Sequence, residues 1–242
     1  MKSYWNALGY YEQPSADELR RKSDASRKSE QKKGKALEPV CAKGRQIAVK
    51  WWGKAWCDNL EQYADYESRL DRGKRYIRNG SVIDLKIQKG KILARVQGTR
   101  KTPYKVEIRI SPLSEESCQK IIERCGIRIE NMEELLDGDF PAQMKDLFLG
   151  SEGLFPTPKE ISFNCSCPDW ALLCKHVAAA LYGVGVRLDE QPLLFFELRG
   201  IDAGRFIDVA LANKVEIMLA NADAPSARSI GEEDLTRLFG VV

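Results

Sequence analysis

The sequence predicts an α+β fold, in which an antiparallel three-stranded meander and its helices are joined to a small strand-turn-helix module and a helical C-terminal part. Three segments between residues 82 and 110 alternate apolar and polar side chains, and segments on both sides repeat their apolar residues at helical spacing. Three of the seven cysteines lie within the eleven residues before the only histidine. With 242 residues, 43% of them hydrophobic, the chain can bury a core without disulfides.

Four parts are expected along the chain: an aromatic N-terminus with a basic flexible segment over residues 1–44, an α+β body over 45–158, a zinc module over 159–190, and a helical C-terminal segment over 191–242. The aromatic residues of the N-terminus are Tyr4, Trp5, Tyr10 and Tyr11. From Ser15 to Gly44 the chain is rich in Lys, Arg, Ser and Glu, which is typical of a solvated helix, a basic linker or disorder. We expect a flexible segment that either contacts phosphates or tethers the terminus.

A tryptophan-rich helix is predicted next. Trp52, Trp56, Leu60 and Tyr63 recur at helical spacing. These rings either stack on nucleobases beside nearby lysines or, as is more frequent for such a stripe, belong to the core. A basic turn, Asp71–Gly80, then leads into the strands.

The predicted meander comprises Val82–Gln88, Ile92–Gln97 and Tyr104–Ile110, joined by Lys89-Gly90 and by residues 98–103. Alternation directs one set of side chains to the core: Ile83, Leu85, Ile87, Ile92, Ala94, Val96, Val106, Ile108 and Ile110. The opposite face carries Lys86, Arg95, Lys105 and Arg109, interrupted by Asp84 and Glu107. This basic face either follows a nucleic-acid backbone or is an ordinary solvated surface.

Helical patterns follow the strands. Ser114 can cap a helix whose first turn is acidic, and further acidic helical segments are predicted around residues 131–136 and 140–149. Beyond the zinc module, the run that begins at Pro192 starts an all-helical stretch.

The charge of the chain is divided between its halves. Residues 1–110 hold 26 Lys and Arg against 13 Asp and Glu, whereas residues 111–242 hold 12 against 22. A basic half favours a polyphosphate partner such as DNA, because each neutralised phosphate releases counterions. The alternatives are that the two halves attract each other or that the charges solvate ordinary surfaces.

Composition also bears on the compartment. The longest apolar runs are too short to span a bilayer, so we expect no membrane contact. The N-terminus lacks a basic region followed by an apolar run and a cleavage site, and an odd number of cysteines fits a reducing compartment. We therefore expect a cytoplasmic protein. We also expect no small-molecule substrate.

The run from Cys165 to His176 has the spacing of a metal site. A short strand, Ile161–Cys165, and a turn supply two thiolates, while a helix that starts near Val177 supplies a third thiolate and an imidazole. The predicted ligands are Cys165, Cys167, Cys174 and His176. Sulfur ligands favour zinc, and four protein ligands leave no position for water, which predicts a structural zinc. The alternatives are buried thiols beside an incidental histidine, or a redox pair.

A closed metal site predicts a function other than catalysis. A zinc hydrolase or nuclease needs an open zinc position and a general base, and the only histidine is already assigned to the metal. The acidic pairs Glu115-Glu116 and Glu133-Glu134 lie on helical, solvated faces and lack the spacing of a two-metal site.

The run Asn164-Cys-Ser-Cys-Pro-Asp-Trp170, followed by Cys174-Lys-His-Val-Ala-Ala180, resembles the SWIM zinc finger, whose pattern is C-x-C, a variable gap and C-x-H. The resemblance implies the same four zinc ligands. Other stretches, such as Trp51-Trp-Gly-Lys-Ala-Trp56 and Pro103-Tyr-Lys-Val106, are similar to bacterial and archaeal SWIM proteins often encoded beside Swi/Snf-type helicases. The resemblance thus implies DNA or protein binding near a helicase and no established reaction.

We accordingly expect a non-enzymatic zinc-binding adaptor that binds DNA, a Swi/Snf-type helicase, or both. The alternative is a purely protein–protein partner subunit with a structural zinc and no DNA affinity. The candidate nucleic-acid-binding residues are Lys74, Arg75, Arg78, Lys86, Arg95, Arg100, Lys101, Lys105 and Arg109.

Overall fold

The computed structural model describes residues 14–128, 144–150 and 153–220. The helices are α1 (Ala16–Lys32), α2 (Trp51–Glu61), α3 (Glu67–Arg78), α4 (Glu115–Arg128), α5 (Lys145–Leu149), α6 (Lys175–Glu190), α7 (Leu194–Arg199) and α8 (Ala203–Ala220). The strands are β1 (Val82–Gln88), β2 (Lys91–Val96), β3 (Tyr104–Ile110) and β4 (Ile161–Cys165). The predicted α+β class is confirmed.

One antiparallel sheet has the strand order β1-β2-β3-β4, which corrects the predicted three-stranded meander. The strand of the zinc module, β4, pairs with β3 through partners such as Val106 with Cys165 and Ile110 with Ile161. The module is therefore continuous with the sheet. Strand β4 is separated from β3 by residues 111–160, which include α4 and α5, so no local pattern in the sequence indicated this pairing.

The predicted core face is correct for β2 and β3 but is shifted at the start of β1. A bulge between Val82 and Asp84 places two residues of β1 opposite one residue of β2. As a result Val82 joins Leu85 in the main core cluster, while Ile83 is buried outside that cluster.

Helix α6 lies across the inner face of the sheet and contacts all four strands, and α2 and α3 pack against α6. Small residues allow the close approach of these helices. A Cβ atom on Gly73 of α3 would lie 2.5 Å from the Ala178 Cβ, and one on Gly185 of α6 would lie 2.7 Å from the Cys57 Sγ. Every residue of α6 from His176 to Gly185 is buried, so this helix is the centre of the core.

Two segments are helical: one for which the sequence left a solvated helix, a linker or disorder open, and one expected to be a turn. The supposed flexible segment contains α1, where the Ser15 hydroxyl accepts a hydrogen bond from the Glu18 N–H and the Leu19 side chain is fully buried. The supposed basic turn at residues 71–80 lies mostly within α3, which buries Leu70 and Tyr76. In both cases a few buried apolar residues, spaced among many charges, are enough to dock the helix.

The tryptophan-rich helix is core, as the more frequent of its two interpretations predicts. Trp52 and Trp56 are almost completely buried in α2, and both indole N–H groups donate to carbonyls of α6, at Leu188 and Leu181, over 2.9 Å. These two rings are therefore not exposed for stacking on bases.

Of the helical C-terminal segment predicted over 191–242, the structure describes residues up to 220, which contain α7 and α8 with a break at Gly200, whose φ is +89°; residues 221–242 lie outside the described residues. Of the segment predicted around 140–149, the structure describes α5. The N-terminal aromatic cluster and the segment 131–136 lie outside the described residues. Among the described helices, none combines the length and apolar character that crossing a bilayer requires.

Candidate metal centre

The four predicted ligands are positioned by the end of a strand and the start of a helix. Cys165 is the last residue of β4, and Cys167 follows in the turn. Cys174 is the N-cap of α6, and His176 lies in the first turn of that helix. Because β4 is fixed by β3 and α6 is fixed by the sheet, two rigid elements bring the ligands together. The predicted strand and the predicted helix are both confirmed.

The ligand atoms are close enough to surround one metal ion. The three Sγ atoms and one imidazole nitrogen lie within 4.8 Å of one another. The His176 Nδ1 lies 3.9 Å from the Sγ of Cys165 and 3.9 Å from the Sγ of Cys174, so Nδ1 is the nitrogen that faces the site. A tetrahedral zinc with bonds of about 2.3 Å to sulfur and 2.0 Å to nitrogen separates its ligand atoms by about 3.5–3.8 Å. The residues present therefore fit zinc in both chemistry and spacing.

Protonation equilibria favour the metal-binding form at Cys174 and His176 and oppose it at Cys165 and Cys167, whose thiol pKa values are raised. The pKa of Cys174 is lowered to about 4 because its sulfur accepts a hydrogen bond from the Cys165 thiol, with further help from His176 and from the Val177 N–H at the start of α6. Burial lowers the pKa of His176, which keeps its imidazole neutral at pH 7. The pKa of Cys165 is raised because it donates to Cys174 and is buried, so its proton leaves when metal binds.

Comparison with known families agrees with this geometry. Residues 164–184 match the family model of the SWIM zinc finger. The chain contains a SWIM zinc finger. The resemblance and the zinc cofactor predicted from the sequence are thereby confirmed.

A curated relative extends the similarity beyond the SWIM finger. The chain is 36% identical over 156 residues to the uncharacterized protein Rv2102 of Mycobacterium tuberculosis, an alignment that covers 64% of this chain and 56% of the relative. The chain thus spans little more than half the length of that protein. No solved structure matches the chain.

Residues outside the SWIM motif complete the surroundings of His176. The imidazole is 1% exposed, stacks on the Tyr104 ring with centroids 4.1 Å apart, and meets the edge of the Tyr76 ring at 5.5 Å. Its Nε2 is buried, has no hydrogen-bond partner among the described residues, and faces Gly98. Sequence reasoning missed these residues, because no spacing relates them to the ligands.

The loop between Cys167 and Cys174 is held from outside the finger. The Asp169 carboxylate pairs with Arg69 at 3.1 Å, and the Asp65 carboxylate accepts the Leu172 N–H at 3.0 Å. This fixed loop leaves Trp170 79% exposed and Leu172 65% exposed. The SWIM finger therefore presents an apolar surface to solvent beside its metal site.

The structure separates the predicted nucleic-acid-binding residues into three groups. Those on α3 already have intramolecular partners: Lys74 pairs with Glu61 at 2.8 Å, while Arg75 and Arg78 donate to backbone carbonyls. They lie on a helix that packs against α6, and none of them lines either of the two depressions described next.

A second group lies on the outer face of the sheet. Arg95 and Lys105 are partners in the ladder, and together with Lys86 they line a cavity of about 480 Å³. Arg95 also forms ion pairs with Asp84 and with Glu30 of α1. Arg109 does not line the cavity; its exposed guanidinium pairs with Glu107.

A third group lies on the loop of residues 98–103. Arg100 and Lys101 line a groove of about 590 Å³ between this loop and α1, opposite Lys22 and Lys33. The two lysines of α1 were not among the predicted binding residues, because a segment expected to be flexible assigns no position to its charges. The basic residues of this segment recur at the spacing of helical turns, and that spacing was the signal that could have identified the two lysines.

Proposed function

We propose that this chain is a non-enzymatic, zinc-binding adaptor that binds DNA, a Swi/Snf-type helicase, or both. The observation that carries the proposal is the groove between α1 and the loop 98–103, which we call the cationic groove. Its four cations are Lys22, Lys33, Arg100 and Lys101, and its hydroxyl groups belong to Ser26, Ser29, Thr99 and Thr102.

The chemistry of the cationic groove suits a phosphate backbone. Lysine and arginine neutralise phosphates, and hydroxyl groups such as those of Ser29, Thr99 and Thr102 donate hydrogen bonds to phosphate oxygens, whereas the Ser26 hydroxyl already donates to Gln97. Glu30 is the one acidic residue among those that line the groove, and its carboxylate is already paired with Lys33, Lys35 and Arg95. Lys22 is likewise paired with Glu18 at 2.8 Å, so the positive charge that the groove offers to an anionic ligand comes chiefly from Arg100 and Lys101.

The neighbouring cavity on the sheet extends this surface. Glu30 lines the cationic groove, and its ion-pair partner Arg95 lines the sheet cavity, so the two depressions meet at this pair. Lys86 and Lys105 add two ammonium groups for which the structure shows no ion pair among the described residues. A ligand with several phosphates can follow this path across the outer side of the sheet.

The absence of catalysis is proposed from the closed ligand set of the SWIM finger. Three sulfurs and Nδ1 would fill all four positions of a tetrahedral zinc, whereas a catalytic zinc needs a position for water or substrate. The zinc then stabilises the fold, and partner binding occurs on surfaces that the fold positions.

The helicase partner is proposed from the resemblance to SWIM proteins often encoded beside Swi/Snf-type helicases.

A second candidate function, a protein–protein subunit without DNA affinity, is favoured by one observation. Trp170 and Leu172 are exposed on a loop fixed by Asp65 and Arg69, and rigid exposed aromatic residues are common at the centre of protein interfaces.

DNA binding is tested by fluorescence anisotropy with a labelled duplex and a labelled single strand. We expect the logarithm of the affinity to fall linearly with the logarithm of salt between about 50 and 200 mM, with a slope near −0.9 per duplex phosphate contacted. The double variant Arg100→Glu and Lys101→Glu should make this slope shallower by about 1.8. The control, Lys54→Glu with Lys159→Glu, has the same charge change at exposed positions outside the groove.

The helicase arm is tested by capturing the purified Swi/Snf-type helicase in the presence of nuclease. Retention of the helicase together with an absence of DNA affinity would support the protein–protein function over DNA binding. Failure of both assays with the zinc-loaded chain would contradict the proposed adaptor function.

A further inference from the structure

The zinc ligand His176 is in direct contact with the residue that supports the cationic groove. Its imidazole stacks on Tyr104 with centroids 4.1 Å apart, and the Arg100 guanidinium lies over the same tyrosine ring at 5.4 Å. Tyr104 is the first residue of β3 and is nearly buried, whereas Arg100 is exposed on the preceding loop. One aromatic ring therefore joins the metal site to a cation of the groove.

A second connection runs through the start of the loop. The amide of Gln97, which is 1% exposed, donates to the carbonyls of Gly98 at 2.9 Å and Arg100 at 2.6 Å. Its oxygen accepts the Ser26 hydroxyl of α1 at 2.6 Å. The loop is thus bound to α1, the opposite wall of the groove.

The close approach of the loop to the metal site requires glycine at position 98. A Cβ atom there would lie 2.7 Å from the Tyr104 ring and 3.2 Å from the His176 Nε2. Both distances are shorter than ordinary van der Waals contact, so the Gly98 backbone, the tyrosine ring and the imidazole form one packed unit.

We propose that zinc loading of the SWIM finger controls the shape of the cationic groove, with Tyr104 as the positioning residue. The effect of this coupling on DNA binding rests on the proposed function, whereas the effect of zinc on the shape of the groove does not. Bound zinc holds the His176 ring through Nδ1 and thereby holds the stacked face of Tyr104. Without the metal the imidazole is free to turn, Tyr104 loses its support, and Arg100 and Lys101 no longer face α1.

The structural part is tested without DNA by limited trypsin digestion, because Arg100 and Lys101 are themselves cleavage sites. We expect chelation of zinc to accelerate cleavage after these two residues more than cleavage after Lys89, in the β1–β2 hairpin, which reports the general loss of stability; equal acceleration at all three sites would contradict the coupling. Tyr104→Ala should accelerate loop cleavage while zinc is still bound, and Tyr104→Phe, which keeps the ring, should behave like the wild type.

Zinc transfer to a colorimetric chelator supplies a second readout. Tyr104→Ala and Gly98→Ala should each release zinc about 10-fold faster, as expected when the surroundings of a metal ligand are disturbed. Gly44→Ala is the matched control, since a Cβ there meets no atom closer than 3.8 Å. Circular dichroism and the metal content of each variant establish that it is folded and loaded before the rates are compared.

The outcomes distinguish the two proposals. If chelation and Tyr104→Ala both leave loop cleavage and zinc release unchanged, the coupling is wrong, whatever the chain binds. If the coupling is present and zinc-loaded Tyr104→Ala shows a salt slope for DNA shallower by about 1.8, both proposals are supported. If loop cleavage and zinc release respond as expected but the wild type has no DNA affinity, the coupling stands and the DNA part of the proposed function fails.

Discussion

The two faces of the sheet make different kinds of contact with the helices that cover them. The inner face packs apolar side chains such as Ile92, Val96 and Ile108 against α6, and one end of this layer contains the SWIM finger. The outer face contacts α1 through ion pairs and polar hydrogen bonds, with Arg95 and Gln97 bound to Glu30 and Ser26. Helix α1 also adds Leu19 to the core cluster, but most of the apolar burial lies on the inner side, and the outer side carries the charges.

The largest effect should follow removal of a zinc ligand. Cys174→Ser or His176→Ala should abolish zinc binding and destabilise the fold by about 5 kcal/mol or more, because metal binding is coupled to folding. Metal analysis and thermal unfolding measure this effect. Cys41→Ser is the control, since this exposed thiol lies outside the ligand cluster. Unchanged zinc content in a ligand variant would contradict the assignment.

A pair of tryptophan substitutions contrasts the core with the surface. Trp56→Ala removes a ring that is 1% exposed and should cost about 3–5 kcal/mol. Trp170→Ala removes a ring that is 79% exposed and should change the free energy of unfolding by less than about 0.5 kcal/mol. Denaturant titration measures both values, and equal losses would show that the finger loop contributes to the core.

A smaller effect should follow crowding between helices on the inner side. Gly73→Ala introduces a methyl group 2.5 Å from the Ala178 Cβ and should destabilise the chain by about 1–3 kcal/mol despite the better helix propensity of alanine. Denaturant titration measures this loss as a lower unfolding midpoint. A neutral or stabilising result would mean that α3 and α6 can separate without loss.

The smallest effect should be found on the outer face, in acid. The pKa of Glu30 is lowered to about 2, chiefly because its carboxylate accepts hydrogen bonds from Lys35 and Lys33. Since the ordinary value is 4.5, its stabilising effect is complete above pH 4.5 and is lost as the pH falls toward 2. Thermal unfolding against pH should show a Tm lower by about 1–2 °C for Glu30→Gln above pH 4.5, with the difference vanishing in strong acid.

The sequence predicted the features that depend on the spacing of residues close together in the chain. The ligands fall within twelve residues, and the alternation of β2 and β3 indicates their buried side chains directly. The pairing of β4 with β3 and the contact of Tyr104 with His176 join distant parts of the chain, so no local period could show them. Helix α1 was only one of three alternatives for its segment, because one fully buried leucine among many charges gives a weak amphipathic signal.

The registry of Val106 with Cys165 bears on the order in which the molecule assembles. The four zinc ligands are neighbours in sequence, so the chain between them closes at a small entropic cost, whereas β3 and β4 must meet across a much longer loop. We therefore expect the metal-bound SWIM finger to form early as a local nucleus. Strand β4 then pairs with β3 of the sheet already formed by β1, β2 and β3. When the chain refolds without zinc, the slowest step should then be the pairing of β4, the last strand to join the sheet.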